Sequence, residues 1–151
     1  MGIGTLLMKA LTIIQPFAEL IARGDKRVEN RRWSWSYRGT FAIHAGKART
    51  YGGESVYSIA DDYNIPACDL ALGVVIAVAD MLDCIELGCG PAGLLVPEWA
   101  REKYPWLRDH EHTEGPFCFV LDKVRRLREP LPWRGAQGPF NIPDELIAVA
   151  R

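Results

Sequence analysis

A continuous apolar run at Val74–Ala79, directly after Gly73, most constrains what this chain can fold into. A run of this kind is typical of a strand that is covered on both faces. Leu11–Ile14, Thr40–Ala45 and Phe117–Leu121 have the composition of further short strands, bounded by glycines, prolines or polar residues. The sequence therefore predicts a sheet of several short strands with irregular connections.

Three segments are predicted to be short helices. Proline suits the first helical position and glycine the position just past the end, so the spacing predicts a helix from Pro16 to Arg23, followed by Gly24. Glu54–Tyr63 and Pro97–Tyr104 give the other two. Strands outnumber helices and do not alternate with them, so the predicted fold class is α+β, a small barrel-like sheet with flanking short helices.

The chain has 151 residues, of which 48% are hydrophobic and 25% charged, an ordinary globular balance. We expect one domain over residues 9–151, after a disordered start at residues 1–8. The tail from Pro130 to Pro143 holds four prolines and is predicted to be mostly loop, with at most edge pairing. No apolar run approaches the ~20 residues that a membrane span needs, so no membrane association is expected.

The four cysteines have no CxxC spacing, and they favour reduced thiols in a cytoplasmic protein over a disulfide framework. His110 and His112 lie two residues apart among acidic residues. A metal site is conceivable there, but a solvated polar loop is the favoured interpretation. We therefore predict neither a metal ion nor a cofactor.

Charge is strongly segregated along the chain, although the net charge is only −1. Residues 1–53 hold nine basic and three acidic residues, whereas residues 54–114 hold three basic and twelve acidic residues. Two interpretations remain open. Either the basic segments meet in one cationic face that suits a phosphate-bearing partner, or these charges are solvated and spread over the surface.

Residues 24–39, GDKRVENRRWSWSYRG, concentrate cations and aromatic rings. They lack helical periodicity, which predicts a loop leading into an extended stretch. In a strand Arg27, Glu29 and Arg31 would share one face and place Glu29 between two guanidiniums. Lys26 would reach Glu29 only if the backbone bends between them.

The segment has a structural and a functional interpretation. It is either an exposed strip of ion pairs, each contributing ~0–1 kcal/mol, or a cationic pocket wall beside a stacking platform for a base. Trp33 or Trp35 would supply that platform. Because aromatic and serine residues alternate, Trp33, Trp35 and Tyr37 are predicted to share a face.

A second polar cluster lies in the tail, at Arg134–Gly138. Its glycines allow close approach of the backbone to a ligand, and the Gln137 amide could read a base edge. A tight turn packed by aromatic neighbours is the alternative. His44, inside a predicted strand, is more often a satisfied core histidine than a base, and Lys47 is better placed at a pocket rim.

Taken together, these motifs resemble the ASCH domain family, which belongs to the PUA-like superfamily. Its signature, G-x-K-x-x-E-x-R, is met by Gly24, Lys26, Glu29 and Arg31. Further similar segments are QP at residues 15–16, YRG at 37–39, HAGK at 44–47, GVVIAVADMLDCIE at 73–86 and RGAQGPFNIP at 134–143. Residues 50–70 and 88–114 are the least diagnostic, and the role of 88–114 is left open.

The resemblance implies a small β-barrel with flanking helices, a cleft lined by the signature lysine and glutamate, and RNA or another nucleic acid or nucleotide as ligand. Some relatives are amidohydrolases or ribonucleases. The amidohydrolases carry a threonine where this chain has Glu29, so amide hydrolysis loses its hydroxyl nucleophile here. Fold resemblance alone does not choose between binder and enzyme.

The sequence therefore predicts a nucleic-acid or nucleotide binder. Lys26, Arg31 and Lys47 would contact phosphate, and Arg134 and Gln137 would close the pocket or read a base edge. Glu29 would orient the cations or accept a hydrogen bond from a base amino group. The remaining predicted ligand-binding residues are Gln15, Trp33 and His44.

Two other functions remain open. One is a hydrolase acting on RNA or a modified nucleoside with Lys26 and Glu29 as its catalytic pair. The other is a protein-partner module that uses the acidic residues Asp61 and Asp62. Oligomeric state is not predicted.

Overall fold

The computed structural model describes residues 6–151, which form two compact units. The first unit consists of the chain up to Asp25, Thr40–Ala79 and Val124–Arg151. The second consists of Lys26–Gly39 and Asp80–Lys123.

Within residues 6–151 there are ten strands and four short helices, with a 3-10 turn at Ala67–Asp69. In chain order they are Leu7–Ile13 (β1), Phe17–Ala22 (α1), Val28–Arg31 (β2), Gly39–Ala45 (β3), Thr50–Tyr51 (β4), Glu54–Ser55 (β5), Val56–Asp62 (α2), Val74–Glu86 (β6), Gly88–Gly90 (β7), Gly93–Leu95 (β8), Glu98–Lys103 (α3), Phe117–Pro132 (β9), Phe140–Pro143 (β10) and Asp144–Ala150 (α4). The long strands β6 and β9 run through both units.

In the first unit the strand order is β10-β1-β3-β6-β9. Strand β1 pairs in parallel with β3, which places Thr12 opposite His44, and antiparallel with β10. Apolar side chains from these strands and from α4 form its core; they include Ala10, Ala42, Val75, Val78, Leu127, Ile142 and Ile147. The parallel pairing of β1 and β3 is what brings these two polar side chains side by side.

Helix α1 begins after Pro16 and ends before Gly24, whose φ of 83° is one that glycine adopts readily. The Gln15 side chain is fully buried: its oxygen accepts from the backbone of Glu19, and its nitrogen donates to the Ala71 carbonyl oxygen at 2.9 Å. The amide of Gln15 therefore holds the start of α1 against a neighbouring loop.

In the second unit β2 pairs antiparallel with the first part of β9, so that Glu29 lies opposite Phe119. Val28 points into a core to which β6, β9 and α3 all contribute. The small hairpin of β7 and β8 follows directly after β6. Alternation along β2 buries Val28 in this core and sends Glu29 and Arg31 to the opposite face.

The α+β class and the three helices predicted from the sequence are confirmed, whereas closure into a barrel stays a prediction. Strand β1 already begins at Leu7, so the assignment of residues 7 and 8 to a disordered start was wrong. Residues 1–5 lie outside the described residues, and the single-domain assignment of 9–151 stays a prediction.

The tail is more regular than the sequence suggested. Strand β9 continues to Pro132, β10 ends at Pro143, and α4 follows at once. In the first unit β9 and β10 are the outermost strands of the order. A proline is tolerated at an edge because its missing N–H breaks no ladder bond there.

None of the helices within residues 6–151 has the length and apolar character that a bilayer span requires.

Candidate functional site

The signature residues Lys26, Glu29 and Arg31 form one ionic cluster in the second unit. The Lys26 ammonium lies 3.3 Å from Glu29 Oε1 and also donates to the Val28 carbonyl oxygen, while Arg31 Nη2 lies 3.0 Å from Glu29 Oε2. Lys26 lies two residues before the strand begins, and its long side chain reaches Glu29. One carboxylate therefore holds two cations.

This cluster is largely removed from solvent. Lys26 is 4% exposed and Glu29 is 8% exposed. The sequence placed Glu29 between the guanidiniums of Arg27 and Arg31, and this was wrong for Arg27, whose guanidinium lies 3.7 Å from the ring centroid of Trp106. Lys26 takes that position instead, because its side chain folds back onto the strand whereas Arg27 extends toward an aromatic surface.

The aromatic residues after the signature pack together as their alternation predicted. Trp33 and Trp35 both contact Phe119, with ring centroids 5.4 and 6.0 Å away, and Tyr37 packs against Trp35 at 5.0 Å. All three rings of this strip are half-buried. Their partial exposure leaves ring surface on which a base could stack.

The two histidines near residue 110 belong to the same unit, but they do not form a solvated loop. His112 is buried, and His110 Nε2 accepts a hydrogen bond from the Arg27 backbone N–H at 3.0 Å. Burial lowers the pKa of His110, with further lowering from the nearby His112, Lys26 and Arg27. The Nε2 lone pair of His110 is already used to accept the Arg27 N–H, so it is not available to a metal ion.

The first unit contains a separate pocket of about 630 Å³ with His44 at its floor. His44 Nε2 lies 2.7 Å from the Trp133 carbonyl oxygen, which can only accept, so Nε2 carries the proton. Nδ1 then accepts from the Thr12 hydroxyl at 3.1 Å. Burial lowers the pKa of His44; the Trp133 carbonyl opposes this shift, and Lys47 adds to it. His44 is therefore a neutral, satisfied histidine whose ring lines the pocket.

Two cations lie at the edge of this pocket. Lys47 and Arg134 are both exposed and both line it. The Lys47 side chain passes over Gly73, where an added Cβ would lie 2.6 Å from Lys47 Cε. Within residues 6–151 neither cationic group has an ion pair.

The glycine after Arg134 sets the shape of the floor. A Cβ on Gly135 would lie 2.5 Å from Thr12 Oγ1 and 2.9 Å from His44 Nδ1, closer than such atoms can approach. Only a glycine lets the chain pass over these two side chains. The backbone here is consequently within reach of any ligand in the pocket.

Two predicted ligand-binding residues are placed elsewhere. Gln15 is fully buried, and its amide is bonded at both ends within the fold, so it positions α1 and does not face a ligand. Gln137 is exposed in the loop beyond Gly135 and lies outside the lining of the pocket. The predicted ligand contacts of Lys26, Arg31, Trp33, Lys47 and Arg134 stay predictions.

Sequence reasoning missed Thr12, whose hydroxyl is the hydrogen-bond partner of His44 Nδ1. The sequence contained a signal for this contact: Thr12 and His44 are each flanked by apolar residues within a strand, and parallel pairing places them opposite each other. It also missed that Trp106 would stack with Arg27. Among residues 6–151 no cluster of three or more histidine, cysteine or acidic side chains could hold a metal ion.

Comparison with known proteins shows which sequences this chain is similar to. The sequence model of the ASCH domain matches residues 11–115. Human activating signal cointegrator 1 is 24% identical over 132 residues, which cover 83% of this chain but only 20% of that protein.

Solved ASCH structures have a fold similar to that of this chain. The crystal structure of ASCH from Zymomonas mobilis superposes with a TM-score of 0.52 at 15% identity, covering 93% of this chain and 91% of that one. A single-residue variant of the same protein superposes with a TM-score of 0.55 at 16% identity, covering 95% and 96%. At these identities the likeness to the solved structures is one of fold. Because the ASCH family model matches more than half of this chain, the chain belongs to the ASCH domain family.

Proposed function

We propose that this chain binds RNA or a nucleotide through the pocket of the first unit. The ASCH family is commonly associated with nucleic acids. The observation that carries the proposal is the pair Lys47 and Arg134: two exposed cations on the rim of one pocket, without an ion pair in residues 6–151. Cations that are not already neutralised are those that can bind phosphate at little cost in lost internal bonds.

The floor of the pocket suits the same ligand. At about 630 Å³ the cavity lies in the range of small-molecule and nucleotide sites. His44 is neutral, bonded at both nitrogens and only 2% exposed, so it adds no positive charge to those of Lys47 and Arg134. Phosphate at the rim and a base or sugar against the backbone of Gly135 is the arrangement that this chemistry favours.

The signature cluster is less suited to direct phosphate binding than its motif implied. Glu29 already takes both Lys26 and Arg31, and exposing either cation to phosphate would break a buried pair. We assign Lys26 and Glu29 chiefly to the local fold. Trp33 beside them keeps ring surface on which a base could stack.

The test is fluorescence anisotropy of a labelled single-stranded RNA, titrated at low and moderate salt. Lys47→Ala and Arg134→Ala should each weaken binding about five- to thirtyfold. Each should also reduce the slope of log affinity against log salt concentration by about 1, the contribution of one phosphate contact. Arg128→Ala, which removes an exposed cation of the first unit outside the lining of the pocket, is the matched control and should leave affinity unchanged. Wild-type affinity in both pocket variants would refute the assignment of this pocket.

A hydrolase is the second candidate, because the structure does bring Lys26 and Glu29 to 3.3 Å. One of them could act as base and the other as acid on RNA or a modified nucleoside. Turnover that is lost in Glu29→Gln, while circular dichroism shows a folded protein, would support it. If the wild-type protein binds RNA but turns over no substrate, the hydrolase hypothesis is rejected and the binding function is retained. A cytoplasmic location and a protein partner bound through Asp61 and Asp62 remain predictions.

A further inference from the structure

The second unit carries exposed apolar side chains away from the signature. Leu95, at the end of β8, is 56% exposed, and Trp99 of α3 is 48% exposed. Leu95 lies across two glycines of the partner strand: a Cβ on Gly88 would be 3.3 Å from its side chain, and one on Gly90 would be 3.1 Å away. The bare backbone of β7 thus seats Leu95 on the hairpin surface while most of its side chain stays in solvent.

These residues border an apolar cavity of about 530 Å³. Leu87 and Val96, both buried, form its base, and Leu95 and Trp99 form its walls together with Pro97. Glu86 is the one acidic residue in its lining. A cavity of this size and character accepts a large apolar side chain.

A smaller cavity of about 180 Å³ adjoins it and shares Leu95 and Val96. Its other lining residues include Arg101 and Arg108, which are both exposed. In the part of the chain that the structure describes, neither guanidinium takes part in a hydrogen bond or an ion pair. An apolar groove therefore lies directly beside two arginines whose charge is not neutralised.

We propose that this groove, defined by Leu95, Trp99, Arg101 and Arg108, docks an acidic segment of a partner protein. A large apolar side chain of that segment would enter the cavity of Leu95 and Trp99, and a neighbouring carboxylate would bind the two arginines. Arginine and tryptophan are the residue types that dominate the energy of protein interfaces. Recognition of acidic motifs by arginine pairs is a recurring mode of peptide binding.

Charge on this part of the chain favours a peptide over a nucleic acid. Residues 80–114, all of the second unit, hold eight acidic and three basic residues, and Glu86 lines the groove itself. A polyanion would meet this field along its whole length, whereas one or two carboxylates need only the local arginines. The groove is therefore a site distinct in chemistry from the pocket of Lys47 and Arg134.

Selection from a phage-displayed library of random short peptides on immobilised full-length protein tests the proposal. Enriched peptides should share a large apolar residue next to aspartate or glutamate. Anisotropy of one such labelled peptide should show at least about tenfold weaker binding to Trp99→Ala and to the double variant Arg101→Ala/Arg108→Ala. Val149→Ser, which removes an exposed apolar side chain of the first unit, is the matched control and should bind as wild type.

Three results would overturn the proposal: no enriched peptide, enriched peptides without an acidic residue, or binding that Trp99→Ala leaves unchanged in a protein whose circular dichroism is native. Labelled RNA serves as the second probe. A loss of RNA affinity in Arg101→Ala/Arg108→Ala would assign the groove to nucleic acid and would also reject a peptide site. Rejection of the peptide site would not affect the proposal that Lys47 and Arg134 bind RNA, because that proposal is tested with different variants.

Discussion

Replacing Glu29 with glutamine should destabilise the fold more than replacing its partner Lys26 with methionine. Glu29 holds two cations, at 3.3 Å from Lys26 and 3.0 Å from Arg31, and is 8% exposed. A hydrogen bond to a charged group contributes about 1.5–3 kcal/mol. Glu29→Gln weakens both bonds and leaves two cations near each other without a carboxylate, so we expect a loss of about 3–4 kcal/mol.

Lys26→Met should cost less, about 1–2 kcal/mol. It removes the longer of the two pairs and the bond to the Val28 carbonyl oxygen, but Arg31 keeps its carboxylate and methionine fills the buried space. Because the two residues are in contact, their effects should not add. The double variant Lys26→Met/Glu29→Gln should be at least about 1 kcal/mol more stable than the sum of the single losses implies.

Urea unfolding followed by circular dichroism measures these differences. At a slope of about 2 kcal/mol per molar urea, Glu29→Gln should lower the midpoint by about 1.5–2 M without changing the slope. Glu102→Gln, an exposed carboxylate of α3, should stay within about 0.5 kcal/mol of wild type. A loss in Lys26→Met equal to or larger than that in Glu29→Gln would contradict the reasoning, and so would simple additivity.

Three further predictions concern other sites. Gly135→Ala should cost about 1–3 kcal/mol in urea unfolding and weaken RNA binding, because its Cβ would overlap the pocket floor at 2.5 Å, whereas Ala136→Ser should do neither. The lowered pKa of His44 means that the unfolded chain takes up its proton first, so the free energy of unfolding should fall as pH drops below the ordinary value of 6.5; His44→Asn should flatten that part of the pH profile. Tyr104→Phe should cost about 1–3 kcal/mol because the buried hydroxyl donates to Asp83, and an unchanged midpoint would count against that bond.

Local chemistry carried much of the fold prediction. The helix from Pro16 to Gly24 follows from the two residues that bound it, and the apolar run at Val74–Ala79 did become a strand. The sequence underestimated its length, because β6 continues through the mixed residues 80–86. Pairing with neighbouring strands supports a strand beyond its apolar part, and that support is not visible in composition.

The candidate site was harder to predict, because contact between distant segments decides it. The signature lysine, glutamate and arginine did come together, yet nothing in their spacing revealed that the lysine would be 4% exposed. Nor could spacing show that Arg27 would turn away to Trp106, which lies 79 positions later in the chain. Exposure and choice of partner are tertiary properties, and they separate a binding cation from a structural one.

This separation changes how the charge of the chain should be interpreted. Lys26 and Arg31 contribute to the basic balance of the first third of the sequence, but Glu29 neutralises much of their charge locally. Glu19 does the same for Arg23 and Arg126, at 2.7 and 2.6 Å. The field that an approaching phosphate meets comes from the cations left without such partners, because an internal carboxylate within about 3 Å cancels most of a neighbour's field at a distance. A count of basic residues therefore overstates the attraction of the signature and understates that of Lys47 and Arg134. On this argument we propose that the strongest motif in the sequence stabilises the fold, and that the two less conspicuous cations Lys47 and Arg134 bind the ligand.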